Sequence, residues 1–402
     1  MAALGLAAAM GPFCAHAQDT IRIGMFGPLS GPAAAGGISF LKGWEFGMKE
    51  INDAGGVNVG GQKRKIELIV EDSQSRAEIG LTAAQKLLTR DNVEILVGDM
   101  VGSDVTLATM QLAPAFPNTL FYTGEAISIE IARKIASDPK GFAHVWKHNF
   151  SSDSYADTAY QTLLQLVEDG HIKPKNKSVA IFTEDTSSAA PIWDSLKVLL
   201  EKGGWSVAMH ESFPLGHSDF YPQISRLRTL QPDYIVSFFT SMNSGSGLVK
   251  QLHEQGVKTP NFAINYPLLA NFMSASGPAA EGLLYAPMLF DAVNNPEHAK
   301  FAEKMGSYVG GVPDNNNVDA YCNVMLLADA IERAGSLKVD KLDAAMAETD
   351  FFCLTARRVF DAKTHAPRTD PGYFQVPAGQ IQQGKLFTVW PKNMATAQFV
   401  AP

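Results

Sequence analysis

Two histidines four residues apart, His144 and His148, are the first candidates for chemistry in this chain. On a helix that spacing would face both rings toward one metal ion. The run 142–150 has strand character instead, and four residues of strand cover about 13 Å, too far for one shared ion. The other histidines are scattered, without a His-Glu-x-x-His pattern or a Cys partner, so no metal site is expected. A Ser-rich segment over 241–247, Ser-Met-Asn-Ser-Gly-Ser-Gly, follows an apolar strand and precedes a helix. It has neither the Gly-x-Ser-x-Gly spacing of a nucleophile elbow nor the Gly-Lys-Ser/Thr of a phosphate loop. Two readings of it stay open: backbone N–H groups offered to a polar ligand, or helix capping by Ser244 or Ser246. Carboxylates recur at Asp99, Asp104, Glu125, Glu184 and Asp185. Acidic groups at helix starts ordinarily answer the helix dipole. Glu125 stands apart, because it follows directly the strand that ends at Tyr122. No nucleophile, dinucleotide fingerprint or metal set emerges, so no enzyme activity and no cofactor are expected.

The elements that must position these residues alternate between short β-rich runs and amphipathic stretches of helical length, the sequence form of βαβ units and a parallel sheet. The pattern predicts strands over 20–26, 66–70, 94–98 and 120–122, and helices through 41–51, 76–89, 103–113 and 127–135. After an extended crossing segment at 144–150 the rhythm restarts. Helices are predicted over 153–167, 191–202, 221–230 and 248–255, with strands over 178–182, 205–212, 234–239, 261–264 and 283–286. Two late helices, 318–334 and 339–347, and a strand-like tail over 358–391 complete the chain. The fold class is α/β: two similar lobes in tandem, each a parallel sheet flanked by helices. Open parallel sheets bind ligands beyond the carboxyl ends of their strands, so two facing lobes place loops 27–37, 99–104, 123–127, 183–190, 240–247 and 265–269 on one cleft.

Composition sets limits on the alternatives. The 402 residues imply two or three domains, and 46% apolar against 18% charged residues imply large cores without long disordered tails. Net charge is −8 with no long runs of either sign, which argues against a nucleic-acid partner or an anionic membrane surface. The apolar stretch 2–9 is far too short to span a bilayer. With Ala15-His16-Ala17 and the polar residues after it, the start reads as an export signal over 1–17, cut before Gln18. No Lys or Arg precedes Arg22, which a start inside a longer leader would explain. Cys14 lies before the cut and lacks a lipid-anchor context. Cys322 and Cys353 remain, and two unpaired buried thiols are expected in preference to a disulfide.

The Gly-Pro-Leu-Ser-Gly-Pro run at 27–32, and a helix ending Ile51-Asn52-Asp53-Ala54-Gly55-Gly56-Val57, resemble the start of the leucine/isoleucine/valine-type periplasmic binding proteins. These are the type I substrate-binding proteins of ABC importers. Further matches follow in order: the strand and acidic turn over 66–72, Val97-Gly98, Asp219-Phe220 with Ile224, Pro232-Asp233-Tyr234, Glu281-Gly282-Leu283, Asp319-Ala320-Tyr321 and Phe360-Asp361. The resemblance covers nearly all of 20–391. It implies two Rossmann-like lobes with a three-stranded hinge, crossed near 146, 287 and 355. Lobe 1 would then comprise 18–146 plus 288–354, and lobe 2 147–287 plus 355–402. It also implies a periplasmic monomer that closes on a small-molecule ligand and delivers it to an inner-membrane ABC permease.

Ligand-binding residues expected on that basis are Ser30, Met100, Gly102, Ser103, Thr123, Glu125, Ser188, Phe239, Thr240 and Tyr266. Gly102 and Ser103 match the family's carboxylate-binding loop. Glu125-Ala126-Ile127 replaces its ammonium-binding Thr, Ser188 falls near a family Tyr, and Tyr266 stands where a Glu pairs with the ammonium. A first loop of small residues, 33–37, leaves room for a bulkier solute. The expected ligand is therefore apolar or aromatic with one carboxylate or polar end, held by Ser103 with Tyr266 and Phe239 along its body. The alternatives are an amino acid or cationic solute, should Glu125 supply a negative charge, or a cytoplasmic ligand sensor of the same fold.

Overall fold

The computed structural model describes residues 20–401 except 270, 287–294, 355, 370, 371, 375 and 393. In the first lobe lie β1 (Thr20–Gly27), α1 (Ala34–Asp53), β2 (Val57–Val59), β3 (Gln62–Asp72), α2 (Ala77–Thr89), β4 (Ile95–Val97), α3 (Ser103–Thr109), β5 (Leu120–Tyr122), α4 (Ile129–Ser137) and β6 (Val145–Trp146). The sheet order is β2-β3-β1-β4-β5-β6, parallel from β3 through β6, with β2 antiparallel at its edge. Side chains alternate across a strand, and both faces are apolar. Ile21, Ile23, Met25, Ile95, Val97 and Tyr122 pack with Phe40 and Trp44 of α1. Phe26, Leu96, Phe121 and Val145 meet α2, α3 and α4 on the other side.

The second lobe repeats the plan with α5 (Asp153–Glu168), β7 (Ser178–Glu184), α6 (Ala189–Lys202), β8 (Ser206–Phe213), α7 (Tyr221–Leu230), β9 (Tyr234–Phe239), α8 (Met242–Glu254), β10 (Asn261–Asn265), α9 (Phe272–Ser276) and β11 (Leu284–Tyr285). The chain then returns to the first lobe as α10 (Pro296–Val309), which lies against α1, and α11 (Asn315–Ala334) and α12 (Val339–Ala347), whose apolar faces join the α1 side of that core. A hairpin, β12 (Asp350–Cys353) and β13 (Ala356–Val359), leads back. Finally β14 (Ala378–Gln382) and β15 (Lys385–Trp390) add antiparallel to the second sheet, in the order β15-β14-β11-β10-β9-β7-β8.

Several expectations are corrected here. The helix expected over 103–113 is α-helical only to Thr109 and tightens into a 3-10 turn over Met110–Ala115, where Pro114 has no N–H for an i→i−4 bond. The helix α10 was not anticipated, nor was the start of α8 at Met242 inside the Ser-rich segment. Cys322 and Cys353, expected as free thiols, form a disulfide with Cα atoms 5.7 Å apart. The cause is tertiary: α11 lies against β12, bringing together residues that a sequence separation of 31 left unrelated. Of the three expected crossings, residues 287–294 and 355 lie outside the described residues. At the first, Lys147 donates its backbone N–H to the His365 carbonyl.

Candidate functional site

Residues from both lobes close one small cavity at the carboxyl ends of the strands. Ala33, Gly36, Val101, Glu125, Ile127 and Asn316 come from the first-lobe side, and Tyr155, Ser188, Phe238, Thr240, Asn265 and Leu269 from the second. The lobes are nearly shut, for the cavity holds about 20 Å3 where small-molecule sites usually offer about 300–1,000 Å3. Contacts between the lobes explain this. Ser187, ahead of α6, donates its N–H to Asp104 of α3 at 3.0 Å, and its carbonyl accepts from the Ser128 hydroxyl at 2.8 Å. A larger concavity, about 600 Å3 around Lys173, Arg228 and Lys258, lies on the second lobe alone.

Among the described residues, Glu125 is the one carboxylic acid on the cavity wall. Its placement is local in origin: Gly124 lies against the Asp99 and Met100 carbonyls, so closely that a Cβ would come within 2.6 Å of both oxygens. The Glu125 N–H then bonds to the Met100 carbonyl at 2.7 Å. Thr123, just before, accepts the His148 N–H on its hydroxyl and the Asn323 amide on its carbonyl. The Glu125 carboxyl itself, 9% exposed, has no hydrogen-bond partner among the described residues. Burial, with Asp319 and Asp314 nearby, pushes its pKa well above the usual carboxylate range. Asp319 behaves oppositely. Burial opposes its charge, but His148 (Nε2 to Oδ1, 3.1 Å) and Arg358 (Nη2 to Oδ1, 2.6 Å) hold it ionised, with its pKa lowered.

The helix N-termini near the cavity are already answered by protein carboxylates. Asp99 accepts the N–H groups of Val101 (2.9 Å) and Gly102 (2.6 Å), just ahead of α3, and the Ser73 hydroxyl. Glu184, at the end of β7, accepts the N–H groups of Thr240, Ser241 and Gly216 and the Ser244 hydroxyl. That network is what extends α8 back through the Ser-rich segment.

Comparison with known proteins agrees with this architecture. A family model described as periplasmic binding protein matches residues 20–380. The chain belongs to the periplasmic binding protein family. Among curated relatives, Leu/Ile/Val-binding protein homolog 1 of Brucella suis is 27% identical over 344 residues, 85% of this chain and 86% of the relative. Among solved structures, the solute-binding protein of an ABC transporter from Rhodopseudomonas palustris, in complex with benzoate, superposes with a TM-score of 0.79 at 19% identity, covering 95% of this chain and 98% of that one. The branched-chain amino acid substrate-binding protein of Streptococcus pneumoniae, in complex with isoleucine, gives 0.76 at 20%, covering 95% and 100%.

In this periplasmic binding protein, Glu125, Ser188 and Thr240 of the residues expected to bind ligand line the cavity. The others stand behind it. Ser103 accepts the Ser128 N–H on its hydroxyl, and Gly102 is engaged by Asp99. Ser30 bonds to Asp72 at the rim. Met100 is fully buried beneath Gly27, and Thr123 braces His148. Tyr266 has its hydroxyl on Ser237 at 2.7 Å and its ring against Phe239 and Phe272, within the second-lobe core. His144 and His148 face different partners, Asp343 and the Tyr122–Asp319 pair. Sequence reading missed Tyr155, Phe238 and Asn316, and placed Asn265 on the cleft only as part of loop 265–269. Asn265 carries the one detectable signal, a strand-ending Asn, and adopts φ 76°, a conformation Asn tolerates better than most residues.

Proposed function

We propose that this protein is the exported solute-binding component of an ABC importer, a monomer that takes a small organic solute between its lobes and yields it to an inner-membrane permease. In this reading residues 1–17 are the export leader, and the lobes divide as 18–146 with 288–354 and 147–287 with 355–402. The observation that carries it is the cavity walled by both lobes together with the inter-lobe bonds of Ser187, which exist only when the lobes meet. A shut cleft of about 20 Å3 admits no organic solute, so loading requires the lobes to part and closure must follow. The names of the relatives support the transport role. Small-angle scattering tests the mechanism. Protein freed of endogenous solute by unfolding and refolding should contract when dialysed against a small-molecule extract of its source cells. An unchanged radius of gyration would overturn hinge closure.

A further inference from the structure

The acceptors left over on the cavity wall say more about the solute than its size does. Glu125 and Asn316 both line it. Asn316 is 1% exposed; its amide N–H donates to the Gly36 carbonyl at 3.1 Å, while its side-chain oxygen has no partner. A buried acceptor without a donor is destabilising, more so when charged. Both groups ask for donors, and Glu125 asks for positive charge. Among the described residues no Lys, Arg or His lines the cavity. Of the groups that would hold an anion, the Gly102 N–H is spent on Asp99 and the Thr240 and Ser241 N–H groups just ahead of α8 on Glu184, while the Ser103 hydroxyl, which accepts the Ser128 N–H, is not on the cavity wall.

We infer, resting on the solute-binding reading above, that the cleft selects a small organic cation, an amine or guanidinium without a carboxylate of its own, whose N–H donors bond to Glu125 and the Asn316 side-chain oxygen. Ile127, Tyr155, Phe238 and Leu269 are among the other residues of the wall, where an alkyl or aryl body fits. The acidic groups facing Glu125 are Asp319 and Asp314 of the α11 end and Tyr155 of α5. Asp319 is matched by His148 and Arg358, and the Asp314 carboxylate accepts the Asn317 N–H of its own helix. The charge left to be answered by a ligand is that of Glu125. Burial raises the proton affinity of this carboxyl, so a cation that binds its ionised form competes with its proton, and binding weakens as the pH is lowered.

Calorimetric titration with putrescine, agmatine and phenethylamine, set beside leucine and benzoate, tests this. An amine should bind most tightly, with a heat that changes with the ionisation enthalpy of the buffer. Glu125→Gln should weaken that amine by about 30-fold or more, since removing one partner of a buried charge pair costs at least that factor, and should abolish the buffer dependence. The same variant should melt no lower than the wild type, because a neutral amide replaces a buried acid, so lost binding is not lost folding. Tighter binding of leucine or benzoate than of every amine, absence of amine binding, or a Glu125→Gln variant within about threefold of wild type would overturn the assignment. If leucine or benzoate contracts the protein in scattering while amines do not, the solute-binding reading stands and the cation assignment falls.

Discussion

Two carboxylates at the ends of strands shape this cleft without facing it, and Asp99 shows what that costs. Burial pushes its pKa up from 3.8 to about 6, against the pull of the Gly102 and Val101 N–H groups and the Ser73 hydroxyl. Between those two values the folded protein holds a proton that the unfolded chain has released. This group's contribution to stability is thus full below about pH 4 and is lost as the pH rises through about 6. Asp99→Asn retains one oxygen for both N–H groups and removes the titration. The difference in unfolding free energy should therefore shift toward the variant by about 2–3 kcal/mol between pH 4 and 7, measured by urea denaturation across that range. A difference that does not vary with pH would refute the assignment. At this scale the sequence was legible only where chain position decides geometry. Glu125 follows directly on β5, so it had to reach the cleft. Tyr266 also sits at a strand end, yet a turn over Tyr266–Leu268 folds its ring back onto Gly245, which has no side chain to keep it out. That contact joins residues far apart in order, and no local pattern announces it.

At the scale of elements, the alternation of strands and helices was readable because buried parallel strands leave continuous apolar runs and helices a 3.6-residue stripe. The failures have tertiary causes. Ser, Asn and Gly over 241–247 favour turns on their own, but Glu184 supplies the acceptors that let α8 start at Met242. Cys322 and Cys353 share nothing local, and only the packing of α11 against the hairpin pairs them. The disulfide closes a loop of about 30 residues, for which chain entropy gives about 3–4 kcal/mol of stabilisation. Thiol titration of denatured, unreduced protein lacking residues 1–17, and with them Cys14, should find no free thiol. Reduction should lower the urea midpoint and, by letting the denatured chain expand, raise the m-value, and one equivalent or more of free thiol per such chain would contradict the pairing.

For the whole molecule, the two-lobed plan was evident from the repeated rhythm, whereas the degree of closure was not, since it depends on contacts between loops some 80 residues apart. Ser187 is the pivot of those contacts. It uses only its backbone: its N–H reaches Asp104 and its carbonyl accepts from Ser128, while its own hydroxyl has no partner. None of these three residues lines the cavity, so their bonds favour the closed form without touching a solute. The bond to the Asp104 carboxylate, as a charge-assisted one, is worth about 1.5–3 kcal/mol at most, and Asp104 is exposed, which lowers its value toward about 1 kcal/mol. Asp104→Ala should consequently raise the dissociation rate of bound solute by about 5- to 10-fold. Association starts from the parted lobes, where the bond does not exist, so its rate should hardly change. Ser187→Ala removes a hydroxyl that bonds to nothing and should leave both rates as they are. Stopped-flow release of the solute retained by the native protein distinguishes these cases. Equal dissociation from Asp104→Ala and wild type would mean that closure is stabilised at the cavity wall alone, and the rim contact would then be a consequence of closure with no share in its energy.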